Sequence, residues 1–504
     1  MASKPEENTA DKLHLEPCSP SSPKERWSGN MVSLILSELK LQRGITVPML
    51  AMNFTWFARI AVTTAFLGRL GELSLAGGTL GATFSNVTGF AVLNGLCCAM
   101  EPICGQAFGA KNFKLLHKTL VMAIIVLLVA SIPISILWLN VDKILIQFGQ
   151  QEEISVAVRK YLLYLLPDLV VYSFLGPLKS YLSTQSLAVP IMLSSAFGLG
   201  FHVPITMLLS RARGFEGVSM AVWMSDLVVV VLLAFYVLIA EHGKRGNWNG
   251  GGWWEQGIHD WKRLLKLCGP CCITTCLEWW CYEILMLLTG RLPNAKQAIG
   301  ILAIVMNFDY LLYSVMISLS TSASVRISNE LGANQVGPAY RSAYISVGIS
   351  VISGIIGASV MVSARDSWGG LFSHEKGITS NVKKMLLIMA VTEVFNFPLV
   401  VCGGIVRGTA RPKLAMYANI TGFYLFALPV GAVLAFKIHL GLPGILIGFL
   451  SGCIACLVLL VVFIARIDWK DEARKARSLT SSPVEEEIKD HEDHKNSGVN
   501  NVAL

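Results

Sequence analysis

Charge is what this chain has least of. Only 15% of its 504 residues are Asp, Glu, Lys or Arg, and its mean hydropathy is +0.57. A soluble chain carries roughly a quarter charged residues, so an aqueous surface is excluded for most of this one. Histidine is scarce too, at nine residues. No His cluster, nucleophile–base pair or metal-ligand spacing lies within the apolar runs, which excludes a membrane-embedded enzyme. The alternating pattern of a membrane barrel is missing. An early apolar run is also missing, because a polar stretch comes first and no signal peptide is read. The net charge of +8 gathers into no basic face, so nucleic acid is not an expected partner. Nothing in the sequence calls for a cofactor or a metal.

Apolar runs are what the chain has in abundance, since 53% of it is hydrophobic. A hydrocarbon core of ~30 Å takes about 20 apolar residues per helix. On that measure helices are expected near 45–67, 73–100, 118–139, 158–178, 188–210, 218–240, 265–290, 298–322, 340–363, 382–405, 412–436 and 443–465. The fold class is therefore an all-α polytopic membrane protein with twelve transmembrane helices, and the lipid bilayer is its first partner. Most of the Lys and Arg fall on the side that holds both termini, which places both termini in the cytosol. Residues 1–40 and 466–504 read as disordered cytosolic tails that could receive regulators, with phosphorylation expected near Ser19-Pro20 and Ser482-Pro483. Residues 41–240 form a first lobe and 265–465 a second. The segment 241–264 is a cytosolic linker whose Trp248, Trp253, Trp254 and Trp261 are expected to anchor at the interface. Every cysteine but Cys18 lies in or beside a span, where small apolar packing explains it better than the CxxC spacing of Cys268 and Cys271.

The two lobes carry a repeat. Pro48 and Pro270, Gly68-Arg69-Leu70 and Gly290-Arg291-Leu292, and Pro190 and Pro412 all recur at an offset of 222, with Gly109-Ala110 and Gly332-Ala333 at 223. The chain thus reads as a duplicated six-helix unit. Six is even, so the copies run parallel and are related by an axis along the membrane normal. Two such bundles around a shared cavity suit a transporter that rocks between two openings.

A charge in hydrocarbon costs ~2.5–3.5 kcal/mol on insertion scales, so acids within spans need a reason. At the 222 offset, Glu278 falls on Trp56 and Glu393 on Val171, so both acids belong to the second lobe alone. Glu278 has Thr274 and Tyr282 as i−4 and i+4 neighbours on one stripe of its helix, and Trp279 beside it. Glu283 lies about 140° round the helix and shares that face or meets a neighbouring helix. Glu393 sits mid-span before Pro398. Pro48, Pro270 and Pro398 are expected to kink their helices and free carbonyls. Asp309, beside Asn307, either joins these acids or makes a polar helix contact. Asn53, Trp56 and Arg59 are cavity candidates on span 1, and Arg59 meets an acid or an anionic substrate. Asp168 and Asp226 are read as structural, and Glu101 is placed at the membrane face. Each acid also has a bland reading, as a protonated carboxyl hydrogen-bonded between helices.

Four motifs in order add a resemblance that runs from about residue 35 to 467. Glu101-Pro-Ile-Cys-Gly-Gln-Ala-Phe-Gly-Ala110, Cys276-Leu-Glu-Trp-Trp280, Arg326-Ile-Ser-Asn-Glu-Leu-Gly-Ala333 and Arg407-Gly-Thr-Ala-Arg-Pro412 closely resemble the plant branch of the multidrug and toxic compound extrusion (MATE) transporters, called DETOXIFICATION proteins in plants. The resemblance implies two six-helix lobes, alternating access, and export of organic cations, secondary metabolites or hormones from the cytosol in exchange for protons. Organic-anion efflux and sodium coupling are the variants it leaves open, and a regulator signalling through its tails is the reading from another class. The resemblance carries essential acids onto Glu278, Glu283 and Glu393. Two departures stand out: span 1 lacks the aspartate of many bacterial relatives, and Asn307 stands where animal relatives have a further glutamate. The plasma membrane and the vacuolar or endosomal membrane both remain open as the site of action.

Overall fold

The computed structural model describes residues 31–243, 253, 256–373 and 375–480. Its frame is twelve membrane-length helices: α1 (Met31–Arg69), α2 (Glu72–Gly109), α3 (Phe113–Leu139), α4 (Glu152–Thr184), α5 (Ala188–Arg213), α6 (Phe215–Ala240), α7 (Ile258–Thr289), α8 (Ala295–Gly332), α9 (Val336–Leu371), α10 (Lys376–Gly408), α11 (Pro412–Lys437) and α12 (Leu442–Ala465). A thirteenth, α13 (Trp469–Thr480), is polar and follows the last span. Each expected span has its helix. The helices form two six-helix lobes, and the multi-pass membrane architecture follows from their length and apolar composition. Each lobe has its own core. Leu93, Leu116, Leu162 and Tyr181 are buried in the first, and Leu302, Leu386, Phe397 and Phe449 in the second.

The lobes meet along α1, α2, α7 and α8, with α2 against α7, α1 against α8, and α2 against α8 at the centre. The repeated Gly-Ala pairs touch there. A Cβ on Gly109 would stand 2.0 Å from the Asn329 carbonyl oxygen, and one on Gly332 would stand 2.1 Å from that of Gln106. Gln106 and Asn329 are themselves at the repeat offset, so the two contacts are one contact turned about the lobe axis. Glycine is required at both positions because backbone meets backbone.

Three expectations about the ends of the lobes change. Residues 31–40, read as disordered tail, are the first turns of α1. They are held by Glu38, which is buried and accepts from Arg326, Gln42 and Ser342. Within 466–504, residues 469–480 are the helix α13. Its buried Trp469, Ala473 and Ala476 fall on one face, so packing rather than propensity orders it. The linker 241–264 is shorter than expected, since α7 begins at Ile258. Trp253 in that linker stacks on His117 of α3, with ring centroids 4.4 Å apart and planes 7° apart. It is therefore a protein contact rather than a lipid anchor. Trp248, Trp254 and the tail phosphorylation sites lie outside the described residues.

The three prolines expected to kink helices lie inside α1, α7 and α10, which run on unbroken through Pro48, Pro270 and Pro398. The helices also widen into π-type turns at Asn86–Phe90, Ile420–Ala427 and Val433–Lys437. Glycines pack closely in the first two: a Cβ on Gly89 would meet Trp138 at 2.5 Å, and one on Gly422 would meet Cys456 at 2.6 Å.

Candidate functional site

The C-lobe holds a partly open cavity walled by α7, α8, α10, α11 and α12 and touched by Cys98 of α2. Glu278, Tyr282, Tyr313, Asn396, Arg407 and Asn419 face it. Helix α7 brings Glu278 there through the stripe legible in the sequence, where Thr274 and Tyr282 line the same wall one turn below and one turn above. The Tyr313 hydroxyl donates to Glu278 Oε1 at 3.1 Å. Tyr313 is held edge-on by Trp279, with centroids 5.9 Å apart. On the far wall, Asn419 donates to the Thr274 carbonyl and the Tyr424 hydroxyl donates to that of Leu277. These bonds tie α11 to the half of α7 that carries Glu278.

Glu393 and Asp309 lie next to this cavity, both fully buried. Their carboxyls lie beside each other, with the Asn396 amide, one turn from Glu393, alongside. Two like charges in an apolar setting do not both ionise at low cost. A smaller cavity lined by Trp279, Tyr282, Asp309, Tyr310 and Tyr313 lies alongside. Asp309 therefore joins the acids.

The other expected residues are placed apart. Glu283 is half-buried beside Tyr310 and outside both cavities. Asn307 is exposed and donates back to the Ala303 carbonyl, so it does not converge with the acids. Asn53 donates to Ser318 Oγ at 2.9 Å and to the Ser314 carbonyl at 3.3 Å, linking α1 to α8 across the lobes. Trp56 is 45% exposed and touches Phe57 edge-on. Arg59 finds an acid: it pairs bidentately with Asp226 of α6, at 2.6 and 2.7 Å, inside the first lobe. Asp168 lies near that pair, with one carboxyl oxygen buried and unpartnered. His202 bridges Ser225 and Thr63 close by.

Two features were not legible in the sequence. Glu101, placed at the membrane face, instead reaches across the lobes to Arg407, with Oε2 2.8 Å from Nε. Arg326 spans Glu38 of the opposite lobe at 3.2 Å and Glu330 on its own helix at 2.7 Å. Partners so distant in sequence leave no local signal beyond the oddity of a charge in an apolar run.

Known proteins share this architecture. The family model MatE matches twice, at residues 48–208 and 270–433. Protein DETOXIFICATION 56 of Arabidopsis thaliana is 59% identical over 461 residues, covering 91% of this chain and 94% of that protein. Protein DETOXIFICATION 51 of the same plant is 37% identical, covering 92% and 87%. The crystal structure of the eukaryotic MATE transporter AtDTX14 superposes with a TM-score of 0.83 at 30% identity, covering 89% of this chain and all of that one. The Vibrio cholerae MATE transporter VcmN in its bent form, 17% identical with a TM-score of 0.76 over 89% of this chain and all of that one, shares the fold.

Proposed function

Since the chain belongs to the MATE family of multidrug and toxin efflux transporters, we propose that it is a proton-coupled antiporter that moves a small organic compound out of the cytosol by alternating access. One observation carries this reading most directly. Glu278 faces an internal cavity with a single phenolic donor on its carboxylate, while Asp309 and Glu393 form a fully buried pair close by. A carboxylate so placed holds a cation or a proton but not both. The ionised Glu278 takes a cationic group of the substrate from the cytosol. Arrival of a proton from the acidic side removes that charge and releases the substrate, and the neutral carrier returns. Differential affinity of the two lobe arrangements for the loaded and unloaded site is all that this cycle requires. Aromatic walls at Tyr282, Tyr313 and Trp279 favour a flat or cationic organic substrate.

The test is substrate-dependent proton flux into liposomes that hold the full-length protein, under an imposed pH gradient, with a panel of organic cations and anions. Flux that Glu278→Gln and Glu393→Gln each abolish is the expected result. Undiminished flux from both variants would overturn the coupling role, and flux driven equally by a sodium gradient would replace the proton as coupling ion. Both termini are taken to be cytosolic in this scheme; protease protection of an epitope at either end checks that.

A further inference from the structure

Arg407 belongs to two structures at once. Its guanidinium lines the cavity that holds Glu278, and its Nε lies 2.8 Å from Glu101 Oε2 on the opposite lobe. The two form an ion pair across the lobes, and the strength of that attraction depends on the other charges nearby. Tyr313 donates to Glu278 and lies near Arg407.

We propose that Arg407 is a positioning residue that ties the occupancy of Glu278 to closure of the lobes on the Glu101 side. This rests on the reading of Glu278 as the exchanging carboxylate. The charged groups facing Glu278 are Arg407 of α10 and Asp309 of α8. Tyr313 of α8, Tyr282 and Cys281 of α7, Cys98 of α2 and Cys456 of α12 complete the titratable set around it. Arg407 is the cation of that set, so Arg407 and Glu278 together set what Glu101 meets. When Glu278 is ionised and empty, its charge cancels that of Arg407, and the cavity floor offers Glu101 little attraction. When a proton or a cationic substrate neutralises Glu278, the floor presents one full positive charge, and Glu101 is drawn in. The empty ionised carrier thus stays open on the Glu101 side, whereas either loaded carrier is free to close there and, with its proton, to reopen. The bias blocks the crossing of an empty carrier from the Glu101 side, and the reverse crossing is limited because substrate leaves only as a proton arrives. A merely structural clamp would hold equally well in both charge states.

The test is the distance between the lobes as a function of pH, read by paired nitroxides at Lys114→Cys and Lys413→Cys. Both positions are exposed and lie on the Glu101 side, at the starts of α3 and α11. The full-length protein is reconstituted in liposomes, with Cys18 and Cys272 replaced by serine and the signal of the same protein without the two introduced thiols subtracted. Raising the pH is expected to shift the population toward the longer distance. Arg407→Lys retains that response and Arg407→Gln removes it with Glu278 intact. In the exchange Glu101→Arg with Arg407→Glu the response reverses, because ionised Glu278 then repels the acidic side chain at position 407 and drives it onto its new partner. A full pH response in Arg407→Gln, or a normal one in the exchanged pair, overturns the proposal and leaves the role of Glu278 standing. A response that survives Glu278→Gln but not Arg407→Gln removes Glu278 as the sensing group, and a parent protein that ignores pH removes both.

Discussion

Arg59 and Asp226 form a bidentate pair whose side chains are 13% and 12% exposed, in a lobe that carries no counterpart of Glu278. Removing one partner leaves the other charge stranded in a low-dielectric interior, which costs about 3–5 kcal/mol where such pairs have been broken. Arg59→Ala is therefore expected to lower the unfolding midpoint in detergent sharply. Replacing both by apolar residues, as in Arg59→Met with Asp226→Leu, should recover most of that loss; a double variant as unstable as the single one would show that the pair does more than neutralise itself. The individual acids were readable because a carboxylate in an apolar run is conspicuous, and Asp309 converged with Glu393 whereas Asn307, two residues away and on the other side of the helix, did not. The pairing itself was not readable. Whether Arg59 met an acid or lined a cavity depended on where α6 placed Asp226, and helical spacing within α1 carries no information about that.

At the level of the element, the helix that ends the described chain holds parts of both lobes. Thr480 of α13 accepts from Asn112 of the first lobe at 2.7 Å through its carbonyl. Arg263 at the head of α7 donates to the carbonyls of Leu479 and Ser478, and Arg411 pairs with the buried Glu472. Trp469, 2% exposed, meets Tyr340 of α9 edge-on. Removing the chain after Asp468 is expected to loosen the seam between α2 and α8, raising amide exchange at residues 100–110 and 326–333. Asn112→Ala removes this bond together with the Leu115 N–H cap on the same side chain, and should raise it by at least about fivefold, the worth of one net hydrogen bond of ~1 kcal/mol. Exchange unchanged in both proteins would mean that the helix merely rests on the lobes. The apolar spans announced themselves through length and composition. By contrast, α13 has the composition of a solvated tail, and only the spacing of Trp469, Ala473, Ala476 and Thr480 hinted at a buried stripe. The polar first turns of α1 were hidden in the same way, because the partners that bury Glu38 come from α8 and α9.

Across the whole molecule, the duplication is visible as contact. Gly109 and Gly332 each press against the carbonyl of the residue three before the other, so the rocking surface passes through a point where no side chain fits. Gly332→Ala should leave each lobe folded while it holds the lobes apart. Transport would fall by roughly tenfold, equivalent to ~1.4 kcal/mol on the closed state, and Gly109→Ala should match it because the contact is symmetric. Substrate flux measured beside thermal stability separates this from misfolding, and normal flux in either variant would show that the seam can give. The repeat was legible as an offset, but that its copies touch required the lobes to be placed in space. The bond from Asn112 to Thr480 has one more consequence, for how the protein is made. Its two ends are 368 residues apart, and at about 5–20 residues per second the ribosome delivers the second some 20–70 s after the first. For much of that interval the first lobe sits in the bilayer with an unanswered amide. A chain that stops before Thr480 would reach the membrane with all twelve spans but without this fastening between its halves.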